Sequence, residues 1–198
     1  MKKFLIILAV IIGIIIIAAA SIVGKYNTMV TMRESVKQSW AQVENQYQRR
    51  FDLIPNLVNT VKGYAAHEKE TLTGVAEARS KAGGVMQIDK SLINDKAAMQ
   101  KFQQTQATLG SALQRLMVVA ERYPDLKANS NFTRLQDELA GTENRIAVER
   151  KRYNDTAAGF NKLLVVFPNS MFAEMFNIQQ VELFKAPKES QTAPKVEF

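Results

Sequence analysis

The chain has 198 residues, of which 46% are hydrophobic and 23% charged, so it can form one folded domain plus an anchor rather than two domains. It contains no cysteine, which excludes disulfides, thiolate metal sites and thiol nucleophiles. Residues 26–198 carry 23 basic and 19 acidic groups, interspersed along the chain, and this mild balance argues against nucleic acid as a partner.

The first element is an apolar segment without charge, residues 4–24. A helix of about 20 residues crosses the hydrocarbon core of a bilayer, so this segment is long enough to span it. A cleavable signal peptide is the alternative, because two lysines precede the segment and Ala18–Ala20 offer small residues for cleavage. The apolar run continues to Val23 and joins the next helical pattern directly, which favours a retained anchor over residues 1–25, in contact with lipid through residues 4–24.

The basic residues around this segment bear on its orientation. Lys2 and Lys3 directly abut the apolar run, whereas Lys25 is followed by a seven-residue gap before the next cation. The positive-inside rule then predicts a cytoplasmic N-terminus and a domain outside the cytoplasm.

A long amphipathic helix is predicted from Tyr26 onward, because apolar side chains recur every three or four residues. It should end near Lys81, where Gly83 and Gly84 are typical of a helix C-terminus. The stripe is formed by Val36, Trp40, Val43, Tyr47, Phe51, Ile54, Val58, Val61, Ala65, Glu68, Leu72 and Val75, with Glu68 as its charged member.

Pro55 interrupts this stripe, where a proline removes a backbone donor. Asp52 could cap a new helix there. No glycine lies between Arg49 and Lys62 and the stripe keeps its phase, so a kinked continuous helix is predicted rather than a hairpin.

Two further helices follow, over residues 95–123 and, after a short polar turn, over residues 132–167. Pro124 ends the first, whose apolar seam includes Gln106. The second keeps its spacing over five heptads but carries Thr142, Glu149 and Thr156 on its seam, where polar groups can fix the register of a bundle.

These patterns predict an all-α protein with an N-terminal transmembrane helix. An elongated antiparallel bundle of three long helices and a short C-terminal helix should follow, as a four-helix up-and-down arrangement. Residues 26–186 form this bundle, divided into a membrane-proximal stalk (26–52) and a distal part (53–186). Residues 187–198 are predicted to be a disordered tail.

If the helices alternate in direction, the turn at Tyr123 and Pro124 lies beside Asp52 and Pro55. Charges near a seam are rarely left unpaired, so Arg49 or Arg50 and Asp52 should meet polar groups of the third helix or of that turn, with Arg50–Glu149 as one specific pair. The residues predicted to have structural or interaction roles are Arg49, Arg50, Asp52, Pro55, Glu143, Asn144, Arg145 and Glu149.

The proximal part of the first helix presents an apolar face that needs a cover. The third helix, the segment after Pro168 or an identical chain could provide it. Self-association through this face is therefore predicted, and it would involve Val36, Trp40, Val43 and Tyr47.

Motifs for chemistry are absent. His67 and Glu68 begin like a zinc-protease helix, but Thr71 stands where the second histidine is needed and the chain has one histidine. Neither catalytic residues nor metal ligands nor a cofactor site are predicted.

Several segments, in order, resemble the LemA family of bacterial membrane-anchored proteins over roughly residues 26–186. They include Trp40-Ala41-Gln42-Val43-Glu44, Asp52-Leu53-Ile54-Pro55-Asn56-Leu57-Val58, Tyr123-Pro124-Asp125-Leu126-Lys127-Ala128 and Gly141-Thr142-Glu143-Asn144-Arg145-Ile146-Ala147. The resemblance implies a single-pass anchor, an antiparallel helical bundle and a bacterial envelope location. It implies no reaction, and it suggests a membrane metalloprotease of the envelope-stress type as a partner.

Two classes of function remain open. The first is a non-enzymatic scaffold or adaptor that displays a helical surface at the membrane and forms homo-oligomers. The alternative is a ligand-binding or metal-binding module, or an enzyme, with a polar site inside the bundle near Asp52, Glu143 and Arg145.

Overall fold

The computed structural model describes residues 2–86 and 92–185, and these ranges contain helices but no β-strand. The all-α prediction is therefore confirmed. The predicted tail, 187–198, lies outside the described residues. The helices are α1 (Lys2–Tyr64), α2 (Lys69–Met86), α3 (Lys96–Ala120), α4 (Pro124–Lys127), α5 (Ser130–Val165) and α6 (Asn169–Met175), with a 3-10 turn at Leu92–Asn94.

The longest element, α1, is a single helix of 63 residues that joins the apolar segment to the folded part. By length and composition it can cross a membrane, and no side chain of residues 4–24 is buried. Burial begins at Met29. The helix continues through Pro55, so the proline does not start a new helix.

The prediction of one helix as far as Lys81 was wrong, because the chain reverses at residues 65–68. From there α2 returns along α1, so that a Cβ added at Gly83 would lie 3.0 Å from the Phe51 ring. Gly83 thus permits close approach of two helices and does not end one, and α2 continues to Met86.

Pro55 and α2 are linked through the carbonyl of Phe51. In an unbroken helix this carbonyl accepts from the N–H of residue 55, which proline lacks. Arg79 Nε of α2 donates to it instead, at 3.3 Å, and the Arg79 guanidinium lies 3.9 Å from the centre of the Phe51 ring. The donor lost at the proline is therefore replaced from the neighbouring helix.

Because α2 adds a reversal, α3 runs in the same direction as α1. At its end, Tyr123 Oη donates to Glu68, and Asn129 Nδ2 donates to Tyr64 Oη at 2.8 Å. The turn at Tyr123 and Pro124 therefore lies at the end of α1 and not beside Asp52 and Pro55 as predicted. Asn129 then caps α5, accepting from two backbone N–H groups.

The last helices return to the start of the bundle. α5 runs antiparallel to α1, and α6 ends beside Tyr26, with the rings of Tyr26 and Phe176 4.8 Å apart. Residues 177–185 then pass back along α5 without helix. They are held by Asn161, which bonds both N–H and C=O of Val181, and by Asn154, which does the same for Phe184.

Two hydrophobic cores lie along the bundle. The Leu57 core contains side chains of α1 to α5, among them Ile54, Leu57, Val61, Val75, Leu113 and Phe132. The Trp40 core contains side chains of α1, the 3-10 turn, α3, α5, α6 and residues 177–185, among them Val36, Trp40, Tyr47, Phe102, Tyr153 and Phe184.

The Trp40 core changes two expectations. Residues 26–52 are not a separate stalk, since α5 and the C-terminal segment pack on them. Val36, Trp40, Val43 and Tyr47 are all buried inside one chain. They do not form a free surface for self-association, because the third long helix and the segment after Pro168 cover them.

Candidate functional site

A layer of buried polar side chains separates the Leu57 core from the Trp40 core. Arg50 of α1, Gln106 of α3 and Thr142 of α5 are 3%, 5% and 0% exposed, and apart from Asn169 and the aromatic side chains no other polar side chain of the described residues is so deeply buried. Three helices contribute one residue each at the same level. On α1 this level lies five residues before Pro55, the residue that interrupts the apolar stripe of the sequence.

Arg50 is the centre of the layer. Its Nη1 donates to Glu143 Oε1 at 2.7 Å, and its Nη2 donates to Gln106 Oε1. Its guanidinium carbon is 5.1 Å from the Tyr47 ring centre. A buried guanidinium without such partners is costly, so the helices are aligned at the one level where Arg50 meets both acceptors.

A cleft of about 350 Å³ opens at this layer. It lies between the part of the bundle covered by α2 and the part covered by residues 177–185. Its charged lining consists of three cations and one carboxylate: Arg50, Arg150, Lys185 and Glu143. Two buried donors here, Arg50 Nε and Gln106 Nε2, have no protein acceptor among the described residues. The cleft therefore favours a small ligand that carries negative charge or hydrogen-bond acceptors.

Tyr47 forms the wall of the cleft on the side of the Trp40 core. Burial raises the pKa of its hydroxyl above the ordinary 10.0, and the positive charges of Arg150 and Arg50 oppose this rise. Arg150 itself lies over the Phe184 ring, 4.5 Å from its centre. The tyrosine is thus a neutral hydrogen-bonding group at neutral pH and not a base.

The other predicted residues do not converge on this site. Asp52 is exposed and accepts from Gln48 Nε2 at 2.8 Å, and Glu149 accepts from Arg152 at 2.7 Å, so the Arg50–Glu149 pair is replaced by Arg50–Glu143. Arg145 donates to Thr142 at 3.3 Å. Asp52, Glu143 and Arg145 therefore have different partners and do not form one site.

Two predicted residues lie on the outer surface. Asn144 is exposed, and Arg49 lines an open groove together with Arg145 and carboxylates of α5. This groove is separate from the cleft at Arg50. The side chains of the two basic neighbours Arg49 and Arg50 thus face different environments.

Sequence reasoning missed Gln106, Arg150 and Lys185 as neighbours of Arg50. Gln106 had a usable signal, since it occupies a position on an otherwise apolar seam. Lys185 had none, because its place depends on the non-helical return of residues 177–185. Within the described residues, no group of three or more histidine or carboxylate side chains is arranged to hold a metal ion.

Comparison with known proteins matches residues 39–198 to the LemA family. The chain is 28% identical over 175 residues to the magnetosome protein MamQ of Magnetospirillum gryphiswaldense, which covers 81% of this chain and 64% of that protein. It is also 28% identical to the magnetosome protein MamQ 2 of Paramagnetospirillum magneticum, over 84% of this chain and 66% of the relative. Protein LemA of Metamycoplasma hominis is 25% identical over 83% of this chain and 70% of its own length.

The chain thus spans slightly less than two thirds of the length of each of these MamQ proteins. What those proteins do as a whole is a property of longer chains. The family match, in contrast, includes the whole polar layer, from Arg50 to Glu143, and the C-terminal return.

Proposed function

Because the chain belongs to the LemA family, we propose that it is a non-enzymatic scaffold of the bacterial envelope. It is anchored in the inner membrane by residues 4–24 and displays the helical bundle on the extracytoplasmic side. The relatives are named for an organelle or for the family and not for a reaction, which supports a role in organisation rather than catalysis.

The observation that carries this proposal is the continuity of α1. One helix supplies both the apolar segment and the central element of both cores, without a linker between them. A helix is stiff over this length, so a movement or tilt of the anchor is transmitted to the bundle. An enzyme tethered to a membrane has no such requirement, whereas a scaffold that positions a partner relative to the bilayer does.

The partner is proposed to be another membrane-embedded protein, such as an envelope-stress metalloprotease, or further copies of this chain. The Trp40 core is covered within the chain, so any assembly must use another surface. The outer surfaces of α2 and α3, which pack on each other and form one side of the distal bundle, are available for this purpose.

The anchoring part of the proposal is tested by fractionating cells that express the full chain and an Ile14→Lys variant. We expect the parent chain to stay with membranes in alkaline carbonate and the variant to be extracted, because a lysine at the centre of a span costs about 2.5–3.5 kcal/mol. An Ile14→Leu variant is the matched control and should behave as the parent. Extraction of the parent chain itself by carbonate would contradict the proposal.

Partner binding is tested by crosslinking the full chain in membranes and measuring the masses of the products. Discrete products of defined mass are expected for a scaffold, with Val118, exposed on α3, as one position for the crosslinker. A chain that stays uncrosslinked at every surface position of α2 and α3 would contradict a scaffold role for these helices.

A small-ligand function at the cleft is the second candidate, favoured by the two buried donors without acceptors, Arg50 Nε and Gln106 Nε2. The single tryptophan, Trp40, lies in the adjacent core and reports on it by fluorescence. Titration of the full chain with inorganic phosphate and with succinate should give a saturable change that Arg150→Gln abolishes and Arg134→Gln, on the outer surface, leaves intact. An unsaturable response, equal in the two variants, would remove this candidate.

A further inference from the structure

Large apolar side chains are exposed in an unusual concentration at one end of the bundle. After the apolar segment, nine large hydrophobic side chains of the described residues are exposed, and five of them lie within 165–175. Phe167, Met171 and Met175 are 75%, 61% and 59% exposed. Exposed hydrophobic residues are normally scattered singly over a protein surface, so a cluster of them indicates a contact surface.

The packing of α5 on α1 shows which residues of α1 lie beside this cluster. A Cβ at Gly159 of α5 would lie 3.7 Å from the Met32 side chain of α1, so these two residues are neighbours. The helices are antiparallel and rise about 1.5 Å per residue, so six residues further on Val165 is level with Tyr26. Tyr26 is two residues, or about 3 Å, beyond the last residue of the apolar segment.

The helix α6 presents two different faces at this level. Ala173 is buried against the Trp40 core, and Phe176, just after the helix, packs on Tyr26. Met171 and Met175 are four residues apart, so they lie on one face, and this face is exposed. The inner face therefore fixes α6 to the bundle while the methionine face stays available.

The surroundings of the cluster fit lipid better than protein. The cluster lies at the level of Tyr26, which packs on Phe176 and is about 3 Å beyond the apolar segment, so a partner protein there would compete with the bilayer. Lys25 and Lys162 are exposed at nearly the same level, where cations meet anionic headgroups, and Glu174 is the acidic side chain of α6. Aromatic and apolar side chains next to a span are typical of the membrane interface.

We propose that Val165, Val166, Phe167, Met171 and Met175 form a membrane foot that inserts into the interfacial layer of the bilayer. The foot holds the bundle directly on the lipid surface, as a second contact beside the anchor. This inference depends on the anchoring part of the proposed function. The anchor alone fixes the distance of the bundle from the membrane. The anchor and the foot together also fix the orientation of the bundle relative to the membrane.

The absence of cysteine makes the test direct, because each single-cysteine variant carries one label. The full chain is reconstituted in vesicles of phosphatidylcholine and phosphatidylglycerol, with an environment-sensitive fluorophore at Met171→Cys or Met175→Cys. Val118→Cys is the matched control, since Val118 is 63% exposed and lies on the far end of α3. Ile14→Cys reports on the anchor itself.

We expect lipids brominated on the acyl chains to quench the labels at positions 171, 175 and 14, and to leave the label at position 118 unquenched. Iodide in the aqueous phase should quench the label at position 118 and quench the labels at positions 171, 175 and 14 much less. Intact folding of each variant is checked by the emission of Trp40.

Three other outcomes overturn the inference in different ways. Quenching at position 14 but not at 171 or 175 removes the foot and leaves the anchor. Loss of quenching at all positions, including 14, removes the anchor and with it the premise. The labels at positions 171 and 175 could instead quench each other between copies, with an extent that rises with protein density and does not depend on brominated lipid. This result would make the patch an interface between copies of this chain.

Discussion

The interaction between Arg50 and Glu143 is the most specific contact of the polar layer. A double-mutant cycle with Arg50→Met and Glu143→Gln should give a coupling free energy of about 1–3 kcal/mol, because a hydrogen bond to a charged group is broken. The measurement is urea unfolding of the full chain in detergent, followed by Trp40 emission.

Glu149 offers a matched control for this cycle, since its carboxylate is paired with Arg152. A cycle between Arg50 and Glu149 should give no coupling. Equal coupling in the two cycles would mean that Arg50 acts through the general charge of α5 and not through a defined bond.

Tyr153 makes the stability of the protein sensitive to alkaline pH. Its hydroxyl donates to the Glu182 carbonyl at 2.6 Å, and burial raises its pKa well above the ordinary value, with a smaller contribution from the charge of Glu182. The folded state therefore holds this proton more tightly than the unfolded state does. The associated stability is complete below about pH 10 and is lost as the pH rises further.

The Tyr153→Phe variant tests this directly. At neutral pH we expect it to be less stable by about 0.5–1.5 kcal/mol, from one lost hydrogen bond. Between pH 9 and 11 its unfolding midpoint should decline less steeply than that of the parent, and Tyr47 and Tyr123, whose pKa values are also raised, contribute to the residual slope. Parallel pH curves for the two proteins would contradict this role of Tyr153.

At the scale of the helices, Pro55 and Arg79 act as a pair. Pro55→Ala restores the N–H that the Phe51 carbonyl lacks, so the carbonyl no longer depends on Arg79. We expect Arg79→Ala to be destabilising in the parent and less so in the Pro55→Ala background. The comparison of the four unfolding free energies measures the coupling, and additive effects would show that the two residues are independent.

Two glycines of α2 should respond to alanine in opposite ways. Gly74 has no atom within 4 Å of an added Cβ, so Gly74→Ala should stabilise the helix by up to about 1 kcal/mol. Gly83→Ala places the Cβ at 3.0 Å from the Phe51 ring, which is held in place by Arg79 above it, and we expect a net loss of stability. Similar stabilisation by both alanines, measured by thermal unfolding, would mean that α1 and α2 separate easily.

At the scale of the whole molecule, residues 177–185 close the bundle by covering the Trp40 core. Phe184 is 6% exposed and stacks on Trp40, with ring centres 5.6 Å apart. Phe184→Ala should cost about 3–5 kcal/mol and shift Trp40 emission to longer wavelength. Hydrogen exchange should rise around Trp40 and stay unchanged around Leu57, because the polar layer separates the two cores.

The same variant also bears on the proposed scaffold. If the two cores respond independently, the distal bundle can keep its surface while the membrane-proximal end loosens. Equal loss of protection in both cores would show that the bundle is one cooperative unit and that the polar layer does not divide it.

The sequence by itself determined the helical class, an apolar segment long enough to cross a membrane, and the continuity of α1 through Pro55. These follow from local periodicity, length and charge, which depend on near neighbours in the chain. The reversal at residues 65–68 could not be predicted from these local features, because the stripe keeps its spacing of three or four residues on both sides of the reversal. Only the packing of α2 on α1 and α3, with Glu68 bonded to Tyr123 and Tyr64 to Asn129, decides that the chain turns there.

That reversal determines the order and direction of the helices that follow it. It makes α3 parallel to α1, which brings Gln106 to Arg50 and moves the turn at Pro124 away from Pro55. Which carboxylate of α5 pairs with Arg50 depends on the register of α5 against α1. Only the tertiary structure therefore decides that the partner is Glu143 and not Glu149. The cover over Trp40 likewise comes from residues 177–185, whose extended path is set by side-chain bonds from Asn154 and Asn161 and not by any periodicity of their own.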